Sequence, residues 1–163
     1  MNNTKLFIIL GNQLFNPNLY FKQINQYDFF LCEDYGLCSY VKHHKLKLLH
    51  VLSSMRLYRD ELKSLGLKVH YNSIEDENFY EDYLEKLKKT LSKNKYKKLF
   101  FFEIEDKFFE KKLLTLNKDV EIEVIKSPMF LFGRNEFNEA IKKNKKPMMA
   151  NFYKYSRKKL DIL

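Results

Sequence analysis

Two features of the sequence predict an α/β fold with a mostly parallel sheet. Short runs of almost continuously apolar residues recur along the chain, and between them apolar residues are spaced every three or four positions. The runs are typical of strands covered on both faces, and the spacing is typical of amphipathic helices. Because a helix joining two parallel strands crosses over one side of the sheet, regular alternation predicts helices on both faces. The expected architecture is a Rossmann-like or flavodoxin-like three-layer sandwich with a mostly parallel five-stranded sheet.

Five apolar segments have the composition of buried strands. The first ends at Gly11, and glycine permits both a sharp turn and the close approach of a ligand. The chain has only four glycines, and none of them forms a GxGxxG or P-loop fingerprint. The missing phosphate-binding loops argue against a nicotinamide-dependent enzyme or an ATPase. The predicted strands are residues 5–10, 28–33, 67–71, 99–104 and 120–125.

Segments with helical periodicity fill the intervals between these strands. The longest extends over residues 43–65, with Gly66 in the position of a C-terminal cap. The last is predicted to begin at Asn151 as its N-cap and to end near Leu160. The other predicted helices are residues 80–91, 106–116 and 137–141.

The charge of the chain is strongly positive but unevenly distributed. The formal net charge is +9 and the pI is near 9.3, which favours polyanionic partners such as nucleic acid. Residues 75–85 are acidic, however, and residues 142–159 are basic. A run of this kind is usually a solvated helix face. A basic nucleic-acid-binding module therefore stays an alternative function.

Cysteine content and hydropathy narrow the class of protein further. Cys32 and Cys38 are the only cysteines and lack CxxC spacing, which argues against a disulfide scaffold or a zinc site. Both are expected to be reduced thiols of the core or of a loop. No apolar run approaches the roughly 18 residues that span a bilayer, and Met1 leads directly into a strand. We therefore expect a cytoplasmic protein that makes no use of a membrane.

Residues 31–45 are the first candidate for a functional segment. They are predicted to form the end of the second strand, a loop and the start of the longest helix, at the edge where open α/β sheets bind ligands. The segment carries an acid, two tyrosines and two histidines, which suit a small-molecule pocket. Because His43 and His44 point in different directions, capping or a domain contact is expected rather than a metal site. No catalytic constellation is evident, and Glu103 and Glu105 are expected to cap a helix or to face solvent.

Short motifs spread over the whole chain give it a resemblance to a known family. They are Ile9-Leu10-Gly11-Asn12-Gln13-Leu14, Leu31-Cys32-Glu33, Ser39-Tyr40-Val41, His43-His44-Lys45, Ser54-Met55-Arg56, Glu136-Phe137, Phe152-Tyr153 and Arg157-Lys158. Through these residues the chain resembles the N-terminal α/β antenna domain of the bacterial photolyase-related proteins, in the iron–sulfur branch of the cryptochrome/photolyase family. The resemblance implies a module that holds a light-harvesting chromophore, often 6,7-dimethyl-8-ribityllumazine, and passes excitation to FAD.

The resemblance also implies a division of roles in a longer protein. FAD, an iron–sulfur cluster and the DNA-lesion pocket belong to a C-terminal helical domain, and light-driven DNA repair belongs to the full-length protein. Residues 1–146 are then the antenna domain and residues 147–163 the start of the connection. The chain alone is expected to lack catalysis, and its exposed C-terminal helix is an expected surface for self-association. A stand-alone nucleotide- or flavin-binding α/β protein stays an alternative.

A planar chromophore with a polar ribityl chain needs apolar walls and a few hydrogen-bonding groups. The end of the first strand is expected to form one wall, and residues 37–40 the adjoining loop. Asn12 and Tyr40 are the expected hydrogen-bonding groups. Asn12 and Leu37 stand where relatives often have acids, which removes carboxylates able to accept from ring N–H groups. The predicted binding residues are Leu10, Gly11, Asn12, Glu33, Leu37, Tyr40, His44 and Met55.

Overall fold

The computed structural model describes residues 4–21, 23–142 and 148–162. The chain forms two compact units, Met1–Ile125 and Lys126–Leu163, here called unit 1 and unit 2. The predicted boundary between residues 146 and 147 falls outside the described residues. So do Lys143, Lys145 and Lys146 of the predicted basic segment.

Unit 1 is built on a five-stranded sheet in which all the paired strands run parallel. The strands are β1 (Lys5–Ile8), β2 (Asp28–Cys32), β3 (Val69–Asn72), β4 (Lys98–Phe102) and β5 (Glu121–Ile125). Their order across the sheet is β3-β2-β1-β4-β5. The predicted α/β class with a five-stranded parallel sheet is therefore confirmed.

Helices alternate with these strands as the periodicity predicts. In the described part of the chain they are α1 (Pro17–Tyr20), α2 (Tyr35–Ser39), α3 (Lys45–Ser64), α4 (Tyr83–Asn94), α5 (Lys107–Leu114), α6 (Arg134–Ile141) and α7 (Met149–Leu160). Single 3₁₀ turns lie at Ile24–Gln26 and Thr115–Lys118. After α3, Gly66 adopts φ +77°, the left-handed conformation expected of a C-terminal cap residue.

Two sequence expectations about helices are corrected. The segment predicted as a loop contains α2, because the side chain of Asp34 accepts from the Leu37 amide and caps a short helix. In addition, Met148 rather than Asn151 is the N-cap of α7, and Asn151 lies inside the helix. A helix as short as α2 has too few residues for a periodic pattern to be recognised in the sequence.

The two faces of the sheet carry separate cores, because successive side chains of a strand point to opposite faces. One core is largely aromatic and packs beneath α3 and the β1–β2 connection. Its residues from the strands, with Ile9 directly after β1, are Phe7, Ile9, Phe29, Leu31, Phe100 and Phe102. The other core packs beneath α4 and α5, and its strand residues are Leu6, Ile8, Phe30, Cys32, Leu99 and Phe101. Helices on both faces make the three layers that the sequence predicts.

A buried carboxylate at the amino end of β2 is paired entirely within the protein. Asp28 is 3% exposed, accepts from the Tyr96 hydroxyl and lies 3.2 Å from Nζ of Lys68. Because Tyr96 gives its hydrogen to Asp28, Nε2 of His70 is the donor in its 2.7 Å contact with that hydroxyl. Burial, aided by the charge of Lys68, lowers the pKa of His70. These contacts link β2 and β3 to Tyr96, which precedes β4, at the amino end of the strands.

Unit 2 is a helix pair held by aromatic rings and a carboxylate. The ring of Phe152 on α7 lies 4.9 Å from Phe137 on α6 and 5.6 Å from Phe132. Glu136 accepts from the Gly133 amide and from Nζ of Lys159 at 2.9 Å. These hydrogen bonds hold the pKa of Glu136 near 2. None of the described helices combines the length and the apolar content needed to cross a bilayer.

Candidate functional site

A cavity of about 350 Å³ lies in unit 1 at the carboxyl ends of β1 and β4. The chain runs from β1 to β2 and β3 on one side of the sheet and places β4 and β5 on the other. The gap between β1 and β4 is therefore the point at which the direction of winding reverses. Ligands of open α/β sheets bind at such a switch point, and the volume suits a small organic molecule.

The end of β1 supplies the first wall of the cavity through Leu10, Gly11 and Asn12. A Cβ atom on Gly11 would lie 2.9 Å from Sδ of Met55 and 3.0 Å from Cγ1 of Val51, both on α3. Glycine is therefore needed here for the close packing of α3 against the tip of β1. The glycine predicted for ligand approach has this packing role as well.

The second wall follows β4 and consists of Ile104, Glu105, Asp106 and the ring of Phe109. None of these four residues is among the predicted binding residues. Glu105 is tied to the first wall, since its Oε2 accepts from Nδ2 of Asn12 at 3.2 Å. Asp106 accepts from the amides of Phe108 and Phe109 and is the N-cap of α5. Only the strand order brings these residues to β1, and strand order is not visible in the sequence.

The third wall comes from α2, the short segment after it, and the start of α3. Its members are Leu37, Cys38, Tyr40, His43, Lys47, Leu48 and Val51. Tyr40 is 69% exposed, and its ring packs edge-on against His43 at 5.5 Å. Burial raises the pKa of Cys38, so its thiol is a weakly reactive, protonated lining group. His43 and Lys47 place basic side chains on this wall, and the second wall carries the carboxylates of Glu105 and Asp106.

Glu33 follows β2 and is 1% exposed, but its carboxylate is engaged by protein groups. It accepts from Nε of Arg56 at 2.7 Å, from the Tyr71 hydroxyl and from the Ile74 amide at 2.9 Å. Burial alone would raise the pKa of Glu33, but the hydrogen bonds from Arg56, Tyr71 and Ile74 hold it below its ordinary value. Glu33 thereby anchors α3 and β3 to the end of β2.

Asp34, the next residue, makes the matching connection on the opposite face. Its Oδ2 lies 3.1 Å from Nζ of Lys86, which is 1% exposed and donates also to the Phe79 carbonyl at 2.8 Å. The same buried surroundings raise the pKa of Cys32 to about 12, chiefly through burial. Asp34 thus binds α4 to the sheet and caps α2 at the same time.

Five of the eight predicted binding residues line the cavity: Leu10, Gly11, Asn12, Leu37 and Tyr40. The other three have different positions. Glu33 pairs with Arg56. His44 is the N-cap of α3, with Nδ1 accepting from the Leu46 amide at 3.2 Å, so the expected capping role is confirmed. Met55 lies behind Gly11, where it packs as expected without lining the cavity.

The cavity has the chemistry of a site for a flat, largely apolar ligand with polar edges. Apolar side chains form most of its surface, and each wall also carries polar groups. A phosphate group suits the α5 end poorly, because Asp106 already occupies the free amides there and Glu105 adds negative charge. The described residues contain no group of three His, Cys, Asp or Glu side chains placed to hold a metal ion.

This chain is similar to known proteins in two comparisons. A family model for "Deoxyribodipyrimidine photo-lyase-related protein" matches residues 7–163. A (6-4) photolyase of Agrobacterium fabrum strain C58 is 36% identical to this chain over 75 residues. That alignment covers 45% of this chain and 15% of the photolyase. The chain therefore matches only a small part of that relative's length.

Proposed function

Since this chain belongs to the deoxyribodipyrimidine photo-lyase-related protein family, we propose that unit 1 is an antenna module that binds a planar chromophore. The ligand class is a fused heterocycle with a polar side chain, of which 6,7-dimethyl-8-ribityllumazine is the representative. The single observation that carries the proposal is the cavity at the switch point of the sheet, with apolar walls and polar edges.

The lining residues fit such a ligand in chemical type. Leu48 and Val51 on one side and Ile104 on the other offer apolar surface to the two faces of a ring. Asn12 and Glu105 offer acceptors for ring N–H or ribityl hydroxyl groups. The basic side chains of His43 and Lys47 suit carbonyl or anionic edges. A bound chromophore would absorb the light. The residues of this chain would hold the chromophore and exclude water from it.

In a longer protein, the module would pass excitation to FAD in a helical domain that performs light-driven repair of DNA. An iron–sulfur cluster does not fit the present chain, since two cysteines cannot supply the four thiolates that such clusters use. The proposed role of this chain is therefore light collection without catalysis of its own.

A nucleotide-binding α/β enzyme is the alternative that shares this cavity. It is less well supported, because the helix N-terminus at the cavity is already capped by Asp106 and flanked by Glu105. A nucleotide phosphate would be repelled where such enzymes usually attract it.

A basic nucleic-acid-binding module is the second candidate, and the outer side of α7 favours it. Lys154 and Lys158 are exposed there, and the guanidinium of Arg157 lies 5.6 Å from the ring centre of Tyr153. Cations with an exposed aromatic ring suit single-stranded nucleic acid. Binding of an oligonucleotide that weakens steeply with salt, and is lost in the double variant Lys154→Glu, Lys158→Glu, would support this candidate.

The antenna proposal is tested by titrating the purified chain into 6,7-dimethyl-8-ribityllumazine and following fluorescence anisotropy. The absorbance spectrum of freshly purified protein shows whether a chromophore is retained from the cell. In the variant Leu48→Trp an indole would fill the cavity, and affinity should fall by about tenfold or more. Leu114→Trp on α5 lies outside the lining and should leave affinity unchanged. The chain has no tryptophan of its own, so each variant also carries a single fluorescent reporter.

Failure of the wild-type chain to bind the lumazine, a flavin or a deazaflavin would overturn the antenna proposal. Equal loss of affinity in both tryptophan variants would place the ligand elsewhere in the molecule.

A further inference from the structure

The outward face of α3 is unusually apolar. Leu46, Leu49 and Leu57 are 60%, 62% and 71% exposed, although they lie on a helix whose opposite side packs against the sheet through Tyr58 and Leu62. The outer face of such a helix is normally polar or charged. Exposed apolar side chains that lie together on one face are typical of interaction surfaces.

The spacing of residues on this face is symmetric about its centre. Lys45, Leu49, Ser53, Leu57 and Glu61 follow one another at intervals of four, so they form one continuous ridge along the helix surface. All five are exposed. Read from either end, the ridge has a charged residue, a leucine, the small Ser53, a leucine and a charged residue of opposite sign. We call these five residues the α3 ridge.

The two charges of the α3 ridge are placed unfavourably for an isolated helix. Lys45 is the first residue of α3, beside the positive end of the helix dipole, and Glu61 is in the last turn, beside the negative end. The ion pairs that α3 forms within the described part of the chain do not include Lys45 or Glu61. Each charge would be stabilised by the opposite end of another, antiparallel helix.

We propose that the α3 ridge is a self-recognition surface on which a second copy of this chain packs its own α3 in antiparallel orientation. With Ser53 at the two-fold axis, Leu49 faces Leu57 of the second copy, and Lys45 faces Glu61 of the second copy. The same contacts are made twice, as an isologous interface requires. Because an i±4 ridge is inclined to the helix axis, two aligned ridges make the helices cross at about 50°, and the small central serine lets them approach there.

Pairing through α3 fits this chain better than pairing through the exposed face of α7. Two copies of α7 would bring Lys154 and Lys158 against the same cations of the other copy, which repel. The α3 ridge instead offers opposite charges at the two ends and apolar surface between them. A single helix pair buries little area, so the dimer is expected to be weak and dependent on concentration.

Sedimentation velocity of the full chain over a range of concentrations tests the proposal. The wild-type chain should form a dimer reversibly. Leu57→Glu should raise the dissociation constant by about a hundredfold, because a symmetric interface loses each leucine contact twice. Leu19→Glu replaces a leucine that is 74% exposed on α1 and should leave the dimer unchanged.

Charge exchange tests the antiparallel register. Lys45→Glu and Glu61→Lys should each weaken the dimer, because each places like charges together at both ends of the interface. The double variant should restore it, since the pairs are then reversed but complementary. A simple loss of folding would not be rescued in this way.

Several outcomes would overturn the proposal. One is a chain that stays monomeric at all concentrations, as expected if another protein occupies the ridge. A second is a dimer insensitive to Leu57→Glu, and a third is a double charge variant no better than the single ones.

Discussion

Polar side chains follow both β2 and the β1–β4 pair at the same edge of the sheet, but the two regions use them differently. After β2, Glu33 and Asp34 are buried and paired with Arg56 and Lys86. After β1 and β4, polar side chains such as Asn12 and Glu105 border an open cavity. The buried ion pairs after β2 fix helices to the sheet. The polar side chains that border the cavity keep hydrogen-bonding capacity for a ligand. Substitutions should therefore lower stability in one region and ligand affinity in the other.

The largest effect is expected from Lys86→Met. The substitution leaves the Asp34 carboxylate buried without its partner, which should lower the free energy of unfolding by about 3–5 kcal/mol. Urea denaturation measures this change. Lys88→Met is a control on the same helix, because Lys88 is half-exposed and pairs with the exposed Glu85. If Lys86→Met lowered the free energy of unfolding no more than Lys88→Met does, the buried pair would not be what holds α4 to the sheet.

Glu33→Gln should have the next largest effect, about 2–3 kcal/mol, since it weakens charge-assisted hydrogen bonds from Arg56. The pKa of Glu33 is lower in the folded chain than in the unfolded chain. Its contribution is therefore complete above the unfolded pKa, near 4.3, and is lost as the pH falls through the lower folded value.

The variant Glu33→Gln should thus show a flatter loss of stability in acid than the wild type, measured by thermal unfolding as a function of pH. Glu75→Gln, at a carboxylate that is 76% exposed, serves as the control. Parallel pH curves for Glu33→Gln and wild type would contradict the assignment.

The amino edge of the sheet extends the comparison to a third polar cluster. Tyr96→Phe removes the donor to Asp28 and the acceptor for His70, which should lower stability by about 1–2 kcal/mol. Because this cluster lies at the far end of the strands, ligand affinity should stay unchanged. A loss of chromophore binding in a folded Tyr96→Phe variant would contradict the division between paired and ligand-facing polar groups.

The smallest effect on stability is expected at the cavity itself. Asn12→Ala removes an exposed hydrogen bond to Glu105 and should change the free energy of unfolding by less than about 0.5 kcal/mol. Chromophore affinity should nevertheless fall by about five- to tenfold through the loss of one hydrogen bond. Asn18→Ala on α1 is the control. A large loss of stability without a change in affinity would reverse the roles assigned to the two regions.

The fold was predictable because its signals are local. Apolar runs, helical spacing and Gly66 as a cap each depend on neighbouring residues, and the structure confirms them. Helix α2 was missed because five residues with one capping aspartate, Asp34, leave no periodic pattern.

The site was predictable only in part. Leu10 to Asn12 could be placed at the tip of a strand, and Leu37 and Tyr40 near it, from their position in the chain. The wall formed by Glu105 and Asp106 depends on β4 lying beside β1, which is decided by long-range packing. For the same reason Glu33 could be placed at a strand end, but not recognised as the partner of Arg56.

Glu33 and Asp34 are consecutive, and the extended backbone at Asp34 (φ −105°, ψ 129°) directs them to opposite faces. One dipeptide therefore attaches both helical layers to a single strand. Insertion or deletion of one residue just before it would exchange the two carboxylates between the faces, so that each met the wrong cation at the wrong distance. Length variation among relatives should accordingly be tolerated in the segment after α2 and excluded from the few residues that precede it.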